Sequence, residues 1–453
     1  SVYRAAFVQE FCNARSVCSW LGRLSFKSIA MIKEPADVTP ASVETIHASR
    51  IAVLVPSLDG GGAERSMLNL VNAFLERGRK VDLVLCRAKG AYLENIPAQA
   101  RLVVLESAGD FGGRLAALLA NPRRLGSLIR PVILPSKIAP EIEYLRSLQR
   151  YLRERQPDVV LSALTYANLI ALWAKNVVNA GLPVVVSERI ALSQHCFNEP
   201  SRRKWRWRYL PPLVGSSYPV ADAVISVSNQ VADDLSAVSG LPRESIQTIY
   251  NPVVDDGLRS QSAEPLDHPW FVPQSPPVIL GVGRLAQQKD FSTLVRAFSR
   301  LRARRKAHLL ILGEGKQRPL LEALVKDLGL ETDVQLHGFV ANPFKFMARA
   351  AALVLSSEYE GLPGVVIQAL ACGCPVVSTD CPGGSAEILC DGEYGPLVPV
   401  GDDAALCAAV ESVLDNPLEK HVLMQRAEQF SIDCAAEQYL AVLDTLFADR
   451  TIN

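Results

Sequence analysis

Short apolar runs, each followed by a turn and then by a stretch of helical periodicity, recur along this chain. Ile51-Ala-Val-Leu-Val55 is one such run, unbroken by polar residues, as a strand buried on both faces requires. It ends at Pro56 and passes through Gly60-Gly61-Gly62 into a segment where Met67, Leu68, Leu70, Val71, Phe74 and Leu75 lie on one side. Gly78 stops that helix. Further strands are predicted at 81–86, 101–105, 159–162, 184–187 and 223–226, with helices over 141–154, 167–179 and 229–238. The stretch 107–140 is less regular and predicts a helix with loops.

Five prolines between Glu264 and Pro277 then interrupt all periodicity, as a linker would. The alternation restarts with strands at 278–282, 308–312, 334–336, 352–355, 375–378 and 396–398, and with helices at 291–302 and 317–328. Alternating strands and helices imply a parallel sheet covered on both faces. The chain therefore predicts an α/β fold of two doubly wound, Rossmann-like domains facing one another. The expected divisions are an N-terminal extension, partly disordered, over 1–48, a first domain over 49–262 and a linker over 263–277. A second domain over 278–418 and a C-terminal helix over 419–453, packing back on the first domain, complete the chain. In such sheets the ligand lies beyond the carboxyl ends of the strands.

Composition narrows the classes. The 453 residues exceed one ordinary core. Lys plus Arg (47) balances Asp plus Glu (47), so no net field favours nucleic acid. The ten cysteines are scattered, and the Cys372, Cys374, Cys381 and Cys390 group has no usual zinc spacing and no neighbouring histidine. Buried free thiols in a reducing, cytoplasmic setting are expected. No run of 18 apolar residues occurs, and the uncharged stretch 159–174 is broken by Ser162, Thr165, Tyr166 and Asn168. The first 30 residues lack a proper apolar signal core, and Met31 is the first methionine; they are expected to be disordered or to lie upstream of the true start.

The candidate chemistry sits where strands hand over to helices. Gly60, Gly61 and Gly62 would let backbone amides approach an anion at a helix N-terminus, although a plain tight turn uses the same residues. They form neither GxGxxG nor GxxxxGK[ST], which weakens a hydride-transfer or P-loop reading. In the second half, Gly283-Arg284-Leu-Ala-Gln-Gln-Lys289-Asp290 puts two cations on one strand–helix loop, in reach of one pyrophosphate. Taken alone, the two would also suit a solvated loop. Ser356-Ser-Glu-Tyr-Glu360-Gly361-Leu362-Pro363-Gly364-Val365 follows another strand, with Pro363 suited to the first helical turn. Glu360 at the helix entrance can hold sugar hydroxyls, and Gln368 lies about two turns further on. Asp380-Cys-Pro-Gly383-Gly384-Ser385-Ala-Glu387 is a further glycine-rich turn after a strand.

The segments GGGAER, GRLAQQKD, SSEYEGLPGVVIQALACGCPVVS and DCPGGSAEI, in this order, resemble the retaining glycosyltransferases of family 4, which have the GT-B fold. The similarity runs from about Ile51 to Pro417. It implies that Arg284 and Lys289 bind a donor diphosphate and stabilise its charge as it leaves. It also implies that Glu360 contacts the donor sugar and that the backbone of Gly361–Val365 lies beside sugar and phosphates. Gly60–Gly62 and Gly283 would line the donor cleft, with base contacts around His337, Gly338, Phe339 and Val340. The co-substrate implied is a nucleotide sugar, UDP being the more common base, with no cofactor and no metal. The acceptor implied is a glycan or lipid-linked sugar in cell-surface polysaccharide synthesis, and N-acetylhexosamine is the first guess for the transferred sugar.

Two departures stand out. The second glutamate of the family pattern is Gln368 here, which offers one acceptor to the ribose diol in place of a carboxylate. The histidine many members carry in the first domain is replaced by Ser187-Glu188-Arg189, which resembles a subgroup active on amino-sugar donors and makes Glu188 and Arg189 candidates beside the acceptor. The stretch from Arg202 to Tyr209 interleaves five cations with Trp205, Trp207 and Tyr209. It suits an anionic membrane surface, and a peripheral location on its inner face. A helix face packed by its tryptophans, or an anionic-acceptor site, would use the same residues. A sugar-nucleotide-binding subunit without activity, motivated by Gln368, and a GT-B sugar-nucleotide epimerase are the alternative functions.

Overall fold

A computed structural model describes residues 49–59, 61–197 and 204–452. The expectations for residues 1–48, for Gly60 and for Arg202 and Arg203 fall outside these. The first sheet has 7 parallel strands in the order β3-β2-β1-β4-β5-β6-β7. These are β1 (Arg50–Val55), β2 (Lys80–Leu85), β3 (Arg101–Val104), β4 (Val159–Ala163), β5 (Val184–Glu188), β6 (Ala223–Ser226) and β7 (Ile246–Thr248). The second has 6 strands ordered β10-β9-β8-β11-β12-β13. They are β8 (Val278–Val282), β9 (His308–Leu312), β10 (Val334–Gly338), β11 (Ala352–Leu355), β12 (Val376–Thr379) and β13 (Leu397–Val398).

Each sheet is apolar on both faces because helices cover both. On the first, Val53 faces a core with Met67 and Phe74, while Leu54 faces another with Ile170 and Trp173. In register, Ile51 pairs with Val81 on one side and with Val159 on the other, so β1 is central. Strand order reverses between β1 and β4, and between β8 and β11. Helices leaving such neighbours depart to opposite faces, which opens a crevice at that point. The Gly61-Gly62 turn follows β1, the Arg284 loop follows β8, and the Glu360 loop follows β11.

Three sequence expectations need correction. Residues 263–277 are not a free tether. Helix Asp256–Ala263 buries Leu258 in the second lobe, Leu266, Trp270 and Phe271 pack on the same core, and Trp270 stacks on His308 at 4.3 Å. The crossing comes earlier, where Val253 and Val254 both donate backbone hydrogen bonds to Phe430 O and Ile432 donates back to Val254 O. Two chain segments thus cross between the lobes side by side. β10 extends through His337 and Gly338, past the strand expected at 334–336. Pro363 precedes helix Gly364–Ala371 as its N-cap residue and does not form its first turn.

No local pattern announces β7, whose Ile-Gln-Thr is too short to show a period, or helix Leu210–Ser217, hidden by its two prolines. After the second crossing, helix Ile432–Ile452 packs Tyr439 and Leu443 beneath the first sheet, and Arg79 pairs with Asp444 at 2.8 Å. No helix among the described residues is long and apolar enough to cross a membrane.

Candidate functional site

The carboxyl edges of the two sheets meet through a small number of close backbone approaches. At Gly361 an added Cβ would stand 2.0 Å from the carbonyl oxygen of Arg189, so only glycine permits this contact between lobes. Ser228 Oγ donates to Gly361 O at 3.4 Å, and Asn251 Nδ2 to Leu362 O at 3.4 Å. The Glu360–Leu362 segment is therefore seated against the first lobe.

Within the second lobe, the loops after β8 and β11 clasp each other. Gln288 Nε2 donates to Tyr359 O at 2.8 Å, Glu358 N to Gln288 O at 2.8 Å and Ser356 Oγ to Lys289 O at 2.9 Å. This clasp brings Lys289 Nζ to 2.5 Å from Glu360 Oε1, which also accepts from Ser357 Oγ at 2.6 Å. Glu360 is buried, so both partners are needed to hold its charge away from water. Asp290 adopts φ 38° and caps the following helix, its carboxylate accepting from Thr293 N at 3.2 Å. That fixes the turn from which Arg284 and Lys289 project.

Arg284 differs from Lys289. Its guanidinium is exposed and has no side-chain partner among the described residues, although its charge is felt at Tyr359. Gln368 is half-buried and likewise has no side-chain partner there. The ends of β8, β9 and β10 interlock through glycines. An added Cβ at Gly313, which has φ 147°, would fall 1.9 Å from Gly283 O, and Gly313 N donates to Gly338 O at 2.7 Å. Phe339, next in sequence, is 77% exposed at this edge, and Val340 is half-buried. On the opposite lobe, Gly61 caps helix Gly62–Glu76 without a side-chain bond, and Arg65 reaches over the Phe344 ring of the second lobe at 5.6 Å.

Glu188 and Arg189 do not present their side chains as the sequence predicted. Glu188 is fully buried on the helix side of β5, where Tyr218 OH, Thr165 Oγ1 (2.9 Å) and Asn168 Nδ2 (3.3 Å) donate to it. Burial pushes its carboxyl up to about 7, against the lowering effect of those donors. Arg189 is also buried; its Nη1 reaches Ser187 Oγ at 3.4 Å and Tyr439 OH at 3.3 Å, while Nε and Nη2 lack partners. It borders the cleft through its backbone. The alternation of side chains along β5 explains the difference, because it puts Glu188 on the face that carries Thr165, Asn168 and Tyr218, opposite Ser187, which meets Tyr439.

Several contributors had no role assigned from the sequence, although Ser357 and Glu387 lie in its candidate segments. Ser357, Ser228, Gln230 and Glu387 all hold the loops that carry the predicted residues. A serine and an asparagine before an apolar-periodic run mark a helix start at 228–229, but nothing in the sequence says that the other lobe completes it. Trp205–Arg208 forms a single helical turn, with Trp207 packed edge-on against Tyr166 at 5.6 Å and Trp205 exposed. The eight described cysteines are free, six of them buried.

Residues 276–416 match the family described as Glycosyl transferases group 1, and residues 60–256 match Glycosyltransferase Family 4. The N-acetylgalactosamine-N,N'-diacetylbacillosaminyl-diphospho-undecaprenol 4-alpha-N-acetylgalactosaminyltransferase of Campylobacter jejuni is 33% identical over 204 residues, 45% of this chain and 54% of that protein. The chain thus spans about half the length of that relative. The lipopolysaccharide core biosynthesis glycosyltransferase LpsE of Rhizobium meliloti is 27% identical over 84% of this chain and 96% of its own length. Among solved structures, Anabaena HepE in complex with UDP-glucose superposes with a TM-score of 0.67 at 19% identity, covering 87% of this chain and 99% of that one. At that identity the likeness shows the fold alone. The two facing Rossmann-like lobes are those of a GT-B protein, and the chain belongs to the group 1, family 4 glycosyltransferases.

Proposed function

We propose that the protein transfers a sugar, N-acetylhexosamine in the first instance, from a UDP-sugar to a glycan or lipid-linked acceptor with retention of configuration. The observation that carries this reading is the exposed Arg284 guanidinium on the loop after β8, without a side-chain partner among the described residues, beside the buried Lys289–Glu360 pair. Arg284 grips the diphosphate, and Lys289, with one ammonium hydrogen on Glu360, offers the others to the same group. These cations neutralise the charge that grows on the departing phosphate, without recourse to a metal. The leaving phosphate takes the acceptor proton from the same face. Glu360 holds donor-sugar hydroxyls, the amides of Gly361, Leu362, Gly364 and Val365 line the sugar and phosphates, and Gln368 binds one ribose hydroxyl. Phe339 supplies a stacking face for the base, with Gly338 and Val340 beside it. Relatives named for undecaprenol-linked and lipopolysaccharide substrates support a lipid-linked or glycan acceptor.

An anionic membrane surface fits the first lobe. Trp205 does not stand alone: Leu134, Lys137, Lys204 and Arg206 share one groove with it. Arg114, donating to the carbonyls of Val132 (2.7 Å) and Pro135 (2.7 Å), ties that segment to helix Gly109–Ala120, where Phe111 is 80% exposed and Leu119 69%. Between 109 and 137 the cations Arg114, Arg123, Arg124, Arg130 and Lys137 face one acid, Asp110, which Arg114 already holds. Exposed apolar side chains on a segment rich in cations match anionic headgroups.

The decisive experiment is calorimetric titration with UDP, GDP and ADP, with and without a chelator. Chelator-insensitive binding of UDP, lost in Arg284→Ala, is expected. Binding of none of the three would overturn the reading.

A further inference from the structure

Helix Asn229–Ser239 of the first lobe begins at the seam. Its own cap is Ser228, whose Oγ accepts from Val231 N at 3.1 Å. A helix start leaves its first amides without intrahelical acceptors, and Ser228 satisfies only one of them. The next two are satisfied from the other lobe. Glu387 Oε2 accepts from Asn229 N at 2.9 Å and Glu387 Oε1 from Gln230 N at 2.8 Å. Oε2 also accepts from Asn229 Nδ2 and from Tyr250 OH, each at 3.1 Å.

Tyr250 stands just before the crossing, and its ring packs on Phe430 of the second crossing segment at 5.1 Å. Arg426, lying over Phe430, donates to the carbonyls of Glu387 and of Ile388 (2.8 Å). One carboxylate therefore joins the first lobe, the crossing and the second lobe. No cationic side chain pairs with it among the described residues; the helix N-terminus supplies the positive end.

The same turn governs the candidate donor loop. Gly383 N donates to Gln230 Oε1 at 2.8 Å, Glu360 N to Pro382 O at 2.8 Å and Gly384 N to Gly361 O at 2.7 Å. A slide between lobes that broke the Glu387 bridge would drag Pro382–Gly384 and, through it, Glu360 and Gly361. We propose that Glu387 is a positioning residue, whose bridge to the free amides of Asn229 and Gln230 sets the lobe relation that seats the Glu360–Leu362 loop. Its effect on turnover rests on the transferase reading; its effect on lobe contact does not.

The test is Glu387→Gln in the full chain, which keeps the shape but leaves one oxygen for two amides. Hydrogen exchange in the absence of ligand should quicken at least tenfold in 228–231 and in 382–384, with distant segments unchanged. Under turnover, kcat should fall about thirtyfold while the UDP dissociation constant stays within threefold. Unchanged exchange at both segments would overturn the proposal whether or not the protein is a transferase. Equal loss of turnover and UDP binding, in step with a lowered melting temperature, would also overturn it. Should that variant fail to fold, Tyr250→Phe removes one bond of the same bridge, and exchange in both segments should still quicken; no change would decide against the bridge.

Discussion

Lys289 and Glu360 come from loops after different strands, yet Lys289 Nζ lies 2.5 Å from Glu360 Oε1 with both side chains largely enclosed. Neither residue can be altered alone without leaving the other's charge buried. Removing one partner of a buried pair costs ~3–5 kcal/mol. Lys289→Met and Glu360→Gln should each lower stability, and the double variant should lose less than their sum. Chemical denaturation of all four proteins measures the coupling; strict additivity would mean that the pair is not formed in solution.

Arg284 carries no such structural duty. Arg284→Ala should therefore fold with near-native stability while losing turnover by at least about a hundredfold, equivalent to roughly 3 kcal/mol. Steady-state rates beside thermal melts check this, and near-normal rates would remove the diphosphate assignment.

Gln368 offers a neutral amide where the family pattern has a carboxylate. Gln368→Glu should tighten UDP binding by about 1–3 kcal/mol if the ribose diol is its partner. Calorimetry decides, and weaker binding would place the ribose elsewhere.

The Glu188 carboxyl is raised from an ordinary 4.5 to about 7, chiefly by burial. A carboxyl with a higher pKa when folded holds its proton more tightly in the folded state, so stability falls as pH rises from about 4.5 to 7 and stays lower above. The loss is on the order of 3 kcal/mol at 1.36 kcal/mol per unit. Glu188→Gln should flatten this part of the profile and gain relative stability at pH 8. Parallel profiles for the two proteins would show that Glu188 ionises freely.

Replacing Phe111 and Leu119 with serine, with Trp205→Ala, should release the protein from phosphatidylglycerol vesicles at low salt and leave UDP binding unchanged. Undiminished cosedimentation would place any membrane contact on another surface.

The alternation of strands and helices, and with it the class of fold, is written in the order of residues. Ile51–Val55 and Val278–Val282 are apolar throughout because both faces of a central parallel strand are covered, and that pattern is local. Arg284, Lys289 and Glu360 were legible for a similar reason: each lies in a loop directly after a recognisable strand. Relations between distant segments come from folding alone. The burial of Glu188 follows from which face of β5 meets Tyr218, 30 residues later. The packing of 263–277 on the second lobe depends on a stack between Trp270 and His308 that no periodicity announces. Glu387 gains its partners because helix Asn229–Ser239 needs acceptors that its own segment does not supply, and the contact spans 158 residues of chain. Local patterns reveal which surfaces must be buried; what buries them is settled only when the two sheets come together.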